Sequence, residues 1–326
     1  MSRRSFCWTL AGVLVAPAIA IAQVSKAVRR IGALEPGMPD PPEDLWKQAE
    51  PLRALGWVEG QNLHVERRYD NGRPEALQAL AEELVRKRVE IIVTGGTAAT
   101  LAAKRVTTTI PIIIRTSADP VLTGLVASLA RPGGNVTGYS EATPEVRAKY
   151  LSLVKELLPG LKRVGVLEEA GNPYTRGLRD QLQQTCRTLG FEPVFIEIAT
   201  EGEIGGAIAE FVRQRAQVLI LQGAIFFWDH RFEIVNAATN YHLPIVADVE
   251  EMVRDAGALM TYTSTSVEQN RVRAEYIDRI LRGAKPADLP VQQPTKFVLV
   301  INLKTAKALG VAIPQSLLVR ADEVIR

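Results

Sequence analysis

Short apolar runs alternate with amphipathic stretches of helix length along almost the whole chain, the pattern left by strands buried on both faces and by the helices that cover them. In the first half this pattern predicts strands at 31–35, 63–69, 90–94 and 111–115, with a fifth short strand near 135–138. Helices are predicted near 42–55, 74–88, 97–107 and 120–130. The order then recurs, with strands near 163–168, 192–198, 217–222, 244–247 and 258–262 and helices near 145–158, 174–189, 201–214, 230–241 and 267–282.

Capping chemistry sharpens several of these ends. Thr200 with Glu203 spells a capping box, and Asn172-Pro173 places a cap residue before a first-turn proline. Gly190 and Gly283 follow predicted helices, where a left-handed residue stops the spiral. A βα pattern run through twice predicts an α/β protein of two doubly wound parallel-sheet lobes facing one another across a cleft. The length of 326 residues agrees, since one hydrophobic core stops growing below that size. In open sheets of this kind ligands bind beyond the carboxyl ends of the strands, where helix N-termini present unpaired N–H groups.

The first residues add a destination. Arg3 and Arg4 precede an uncharged stretch, Ser5 to Ala22, that ends in Ala20-Ile21-Ala22, so residues 1–22 read as a secretory signal removed before Gln23. Ser2-Arg3-Arg4-Ser5-Phe6 also resembles a twin-arginine signal. Pro17 interrupts the apolar stretch, which argues against a membrane anchor, and no other run is long enough to span a bilayer. Cys7 lies well before the cleavage point and is not placed to carry a lipid; Cys186 would then have no partner within the chain. The expected location is the periplasm, as a monomer and not as a lipoprotein.

Composition removes other classes. With 39 cationic against 36 anionic side chains, dispersed along the chain, nothing marks a nucleic-acid-binding surface. No G-x-S-x-G elbow, Walker loop, paired-histidine metal motif or G-x-G-x-x-G after the first strand is present, so no catalytic set, metal site or cofactor is expected. His64, His230 and His242 fall on different predicted elements. An enzyme on the same architecture would have to use Asp119, Glu169 and Asp248.

Three strings carry a resemblance: Gly56-Trp57-Val58-Glu59-Gly60-Gln61-Asn62, Arg131-Pro132-Gly133-Gly134-Asn135-Val136-Thr137-Gly138, and Pro290-Val291-Gln292-Gln293-Pro294-Thr295-Lys296-Phe297 followed by Ile301-Asn302-Leu303-Lys304-Thr305-Ala306. From about residue 31 to the C-terminus the chain resembles the ABC-transporter substrate-binding family that includes the tryptophan-binding TrpX-like proteins. The resemblance implies a periplasmic-binding-protein fold of type I with a three-segment hinge, no catalysis, an amino acid or related small carboxylate or amine as ligand, and an ABC permease as partner. It places one lobe at 30–139 with a returning helix at about 264–284, and the other at 140–263 with the segment 285–326. A periplasmic sensor that presents its ligand to a membrane receptor remains the alternative to an importer component, followed by a periplasmic enzyme.

The candidate ligand residues lie on the loops after the strands. Thr94-Gly95-Gly96-Thr97-Ala98 allows close approach to the backbone, adds the Thr97 hydroxyl, and offers a helix N-terminus to an anion; it also reads as a tight turn that needs glycine. Ser117 and Asp119 follow the fourth strand, Asp119 being either a helix cap alone or a cap that also walls the ligand. Glu35 ends the first strand and faces either cleft or solvent. On the other side stand Glu169, Asn172 and Tyr174, then Gly223 and Phe226, then Asp248. The Glu168-Glu169-Ala170-Gly171-Asn172-Pro173 turn departs from the asparagine-rich turn common in the family, and its extra carboxylates would favour an amine-bearing ligand. Asp248 stands where the family usually has glutamate, which suggests a partner for a ligand amine or a helix cap. Phe226, Phe227 and Trp228 either cover an apolar ligand face or pack inward. Tyr262, near the expected hinge, either closes the site or packs.

Overall fold

The computed structural model describes residues 28–37, 49–116, 119–141, 144–221 and 225–326. The expected signal at 1–22, the first half of the helix expected at 42–55, and the candidates Ser117 and Gly223 lie outside the described residues.

Chain order in the first half is β1 Arg29–Glu35, α1 Ala49–Ala54, β2 Leu63–Tyr69, α2 Leu77–Arg86, β3 Ile91–Gly95, α3 Gly96–Val106, β4 Ile112–Thr116 and β5 Val136–Ser140. These strands form one parallel sheet in the order β2-β1-β3-β4-β5. The second half gives α4 Pro144–Leu157, β6 Arg163–Glu169, α5 Pro173–Leu189, β7 Glu192–Ile198, α6 Ile204–Arg213, β8 Leu219–Leu221, α7 Ile225–Asp229, α8 Arg231–Asn240, β9 Ile245–Ala247, α9 Glu250–Arg254 and β10 Met260–Thr263. It is followed by α10 Ser266–Leu281, β11 Val298–Asn302, α11 Leu303–Leu309, α12 Gln315–Arg320 and β12 Glu323–Ile325. The second sheet runs β12-β11-β10-β9-β8-β6-β7, all parallel except that β11 is antiparallel to β10.

Two doubly wound α/β sheets were expected, and two are found. Each is a three-layer stack because its strands are apolar on both faces. Ile31, Ala33, Ile91, Val93 and Ile113 of the first sheet pack with Val272, Tyr276 and Ile277 of α10 on one face. Leu34, Ile92, Ile112 and Ile114 pack with α2 and α3 on the other. In the second sheet Val164, Val166, Ile220 and Val246 face Leu151 and Val154 of α4 and Leu182 of α5. Leu167, Leu219, Leu221 and Ile245 face α6 and α8 on the opposite side.

The chain passes between the sheets three times: after β5, after β10, and after residue 292. Helix α10 follows β10 yet covers the first sheet, and the segment behind it stays there. Thr137 Oγ1 donates to Leu289 O at 2.6 Å, Gln292 N to Gly138 O at 2.8 Å, and Ser140 N to Gln292 O at 2.9 Å. The last passage therefore falls beyond residue 292 rather than at 285, because 289–292 lies along β5 as an extra backbone partner.

Two further expectations are corrected. No helix forms at 120–130: Asp119 Oδ1 accepts from Val121 N (2.8 Å) and Leu122 N (3.2 Å), and Gly124 at φ 68 ends the turn after one winding. The C-terminal tail, read only as a family string, instead builds β11, α11, α12 and β12. The capping box of Thr200 and Glu203 is present as expected, and Gly190 and Gly283 take φ 83 and 101 behind α5 and α10.

Candidate functional site

Strand order places the site before any side chain does. In the first sheet the winding reverses between β1 and β3, and in the second between β6 and β8, so a crevice opens beyond the ends of those strands. Glu35 ends β1, Gly95 ends β3, Glu169 ends β6, and α7 with Phe226 follows β8. The two edges approach one another: α3 touches α5, and the charge of Asp70 at the end of β2 acts on both Glu169 and Asp229 across the gap.

On the first side, Gly95 and Glu35 fit together. A Cβ on Gly95 would lie 2.0 Å from Glu35 Oε2, so only glycine lets that carboxyl rest against the start of α3. Gly96 opens the helix at φ 75, and Thr97 is buried in its first turn. Gly95 has no side chain to cap the helix, and the Glu35 carboxyl lies against its first turn. Beside them sit two arginines, Arg115 at the end of β4 and Arg273 on α10. Arg273 is 9% exposed, and burial together with the charge of Arg115 lowers its pKa to about 10. Burial raises the pKa of Glu35 despite the charges of Arg115 and Arg273.

A second polar group links these elements to the passages between sheets. Glu141, just past β5, accepts hydrogen bonds from Ser264 Oγ (2.7 Å), just past β10, and from Gln269 Nε2. Gln269 Oε1 in turn accepts from Arg115 at 3.3 Å. Burial pushes Glu141 up to about 7; Asp248 adds to the rise, while Ser264, Arg115 and Gln269 oppose it. Asp248, after β9, is thus electrostatically coupled to Glu141, and also to Tyr150, whose hydroxyl donates to Val246 O at 2.7 Å.

The far end of the crevice is acidic. Glu169 accepts from Asn172 Nδ2 at 2.9 Å, Asp70 accepts from Gly37 N and Gly72 N at 2.8 and 3.0 Å, and Asp229 ends α7. Burial raises all three pKa values; Asp70 and Asp229 push Glu169 further up, Asp70 pushes up Asp229, and Glu75 pushes up Asp70.

The structure sorts the sequence candidates. Glu35, Gly95, Gly96 and Thr97 meet at the start of α3, and Ala98 lies one residue further in, packed against the core on that side. Glu169 and Asn172 bond to each other, and Tyr174 lies in the first turn of α5. Asp119 binds its own turn. Of the aromatic cluster, Phe227 is in the core and Trp228 stacks on Arg231 at 4.3 Å, while Phe226 stays half-buried with its ring 4.5 Å from that of His230. Tyr262 stacks on Phe297 at 5.2 Å and joins the second sheet's core. Arg115, Glu141, Ser264, Gln269 and Arg273 were not anticipated. Among the described residues one group has donor atoms spaced for a metal ion, Glu201, His230 and Glu233 within 4.8 Å, and two of these are surface carboxylates.

A crevice between two doubly wound sheets, with a helix N-terminus on one side and carboxyl groups on both, is the architecture of the type I periplasmic-binding fold. The chain belongs to the ABC transporter substrate-binding protein family, whose sequence profile matches residues 48–325. A tyrosine-binding protein of Clostridioides difficile (strain R20291) is 29% identical over 258 residues, covering 79% of this chain and 74% of that protein. The crystal structure of an ABC domain from Streptococcus pneumoniae in complex with L-Trp has a TM-score of 0.83 at 24% identity, covering 92% of this chain and 100% of that one. A ligand-free, open substrate-binding protein with adhesive properties from Clostridium difficile has a TM-score of 0.64 at 25% identity, over 91% and 99% of the two chains.

Proposed function

We propose that this protein is the periplasmic solute-binding component of an ABC importer and that it captures a free amino acid in the crevice by closing its two lobes. The lobes are residues 28–140 with α10 and the segment to residue 292, and residues 144–263 with the segment from β11 onward. The observation that carries the reading is the pairing of unlike chemistry on the two walls. The N-terminus of α3, with Thr97, suits a carboxylate, and Asp248 with Glu141 suits an ammonium group. Phe226, the half-buried aromatic after β8, suits an apolar or aromatic side chain, in keeping with the tyrosine and tryptophan named for the relatives.

The tighter superposition on the L-Trp complex than on the open protein supports reading the present arrangement as the closed one. A ligand favours closure only through contacts to both walls, which the split between α3 and Asp248 supplies. Nothing in this scheme requires bond making or breaking.

Thermal-shift screening of the proteinogenic amino acids should find a stabilising ligand, with scattering that shows compaction when it is added. Asp248→Ala should then weaken its binding ten- to about a hundredfold, the loss of one charge-assisted hydrogen bond, and Thr97→Val about tenfold. Both variants should unfold at the wild-type temperature in the absence of ligand. Unchanged affinity in both would reject the site.

A further inference from the structure

We propose that Glu141 is a ligand-contacting residue contributed by the connection between the lobes, that it shares the ligand's ammonium group with Asp248, and that capture expels the proton this carboxyl carries beforehand. The inference rests on the amino-acid reading above and deepens it with a proton linkage at Glu141 that reading does not contain.

The geometry is specific. Glu141 lies on the first passage between the sheets and is held by Ser264 on the second and by Gln269 in the first turn of α10. These two donors fix the carboxyl without a full countercharge. Arg115 is the cation whose charge acts on Glu141, but its guanidinium also donates to Gln269 Oε1 and acts on Glu35, as does Arg273. Asp248, just after β9 in the second sheet, is close enough for its charge of the same sign to raise the Glu141 pKa. Behind Ser264, the buried Tyr139 feels Glu141, Glu268 and Arg271. Two carboxyl groups close enough for one charge to raise the other's pKa form a site for one positive charge, and a proton fills that role until an ammonium group replaces it. The titration of Glu141 at about 7 agrees with this, since the group is then about half protonated at neutral pH.

The sign of the linkage follows. Ligand binds the ionised form of Glu141, so affinity rises with pH until that form predominates and is level above. Between pH 6 and pH 8 the dissociation constant should fall about tenfold, and at pH 7 about half a proton should be released per ligand bound.

The test is calorimetry on the full chain. L-tyrosine, L-tryptophan and the other proteinogenic amino acids are titrated first, and the strongest binder is then measured at pH 6, 7 and 8 in two buffers of different ionisation enthalpy. The expected result is the tenfold rise with pH and a buffer-dependent heat that reports proton release. Glu141→Gln should bind at least tenfold more weakly at pH 8 and lose both signatures. Ser264→Ala, which removes a hydrogen bond to the ionised form, should move the midpoint of the pH profile upward, an effect that a merely structural role would not produce. A binder whose affinity and heat are the same at every pH and in both buffers overturns the inference while leaving the amino-acid reading intact, as does one whose N-acetyl derivative binds equally well. Failure of every amino acid to bind overturns both.

Discussion

Gly138→Ala should destabilise the first sheet by on the order of 4 kcal/mol, seen as a fall of roughly 10 °C in its unfolding temperature. Gly138 is in the middle of β5 at φ 134, a backbone setting that L side chains rarely adopt. A Cβ there would lie 2.4 Å from Ile114 O and 2.6 Å from Ile114 N, atoms of the adjacent strand that cannot rotate aside. The strained dihedral and the backbone clash each cost about 1–3 kcal/mol, and both act on the strand that also pairs with Gln292. Gly134→Ala is the control. Its φ is not in the positive range and nothing lies within 4 Å of its added methyl, so it should change stability by less than about 0.5 kcal/mol. Equal unfolding temperatures for the two variants would refute the argument.

Gly138 shows why the fold was easier to read than the site. The distinctive strings turn out to be scaffold. Trp57 Nε1 donates to Asp278 on α10 at 2.8 Å, Asn62 closes the Gly56–Gly60 turn through Val58 N and Gly56 O, and Asn135 Nδ2 ties the β5 entry to Thr107 O and Ile110 O. Strings of this kind specify turns and contacts between elements, and so identify the architecture without marking the ligand. The loops after the strands were legible as the place to look, because the carboxyl ends of a parallel sheet are fixed by topology alone. Residues brought in from elsewhere were not. Glu141 belongs to a passage between sheets, and Gln269 and Arg273 to a helix that crosses back to the first sheet. A signal did exist for the last two. Positions 269, 272, 273, 276, 277 and 280 form the buried stripe of α10, and Gln269 and Arg273 are the polar residues on it. A polar side chain on the apolar face of a helix marks a buried partner. The helix expected at 120–130 failed for the opposite reason: Val121, Leu122, Leu125 and Val126 have helical spacing, but Asp119 and Gly124 close a single turn beneath them.

That buried pair of strand and helix charges yields the second large effect. Glu35→Ala should cost on the order of 3 kcal/mol of stability in mild acid, because it empties the space that the buried carboxyl fills against Gly95 and removes its polar contact with the charges of Arg115 and Arg273. The pH dependence separates two accounts of this loss. Were attraction to the arginines dominant, the pKa of Glu35 would lie below its ordinary value, and the penalty of the variant would grow as pH rose. Burial instead raises it above 4.5, so the native state holds the proton more tightly than the unfolded chain. A group with a raised folded value contributes stability that is complete below the unfolded pKa and is lost as pH climbs through the folded one. The gap between wild type and Glu35→Ala, measured by denaturant unfolding from pH 4.5 upward, should therefore narrow with rising pH. Glu35→Gln keeps the shape and the neutral hydrogen-bonding capacity, so it should track wild type in mild acid. Adding Arg273→Met to Glu35→Ala should recover part of the loss by removing one uncompensated buried cation. A gap that widens with pH would mean that the two guanidinium groups, and not desolvation, set the charge of Glu35 at the mouth of the crevice.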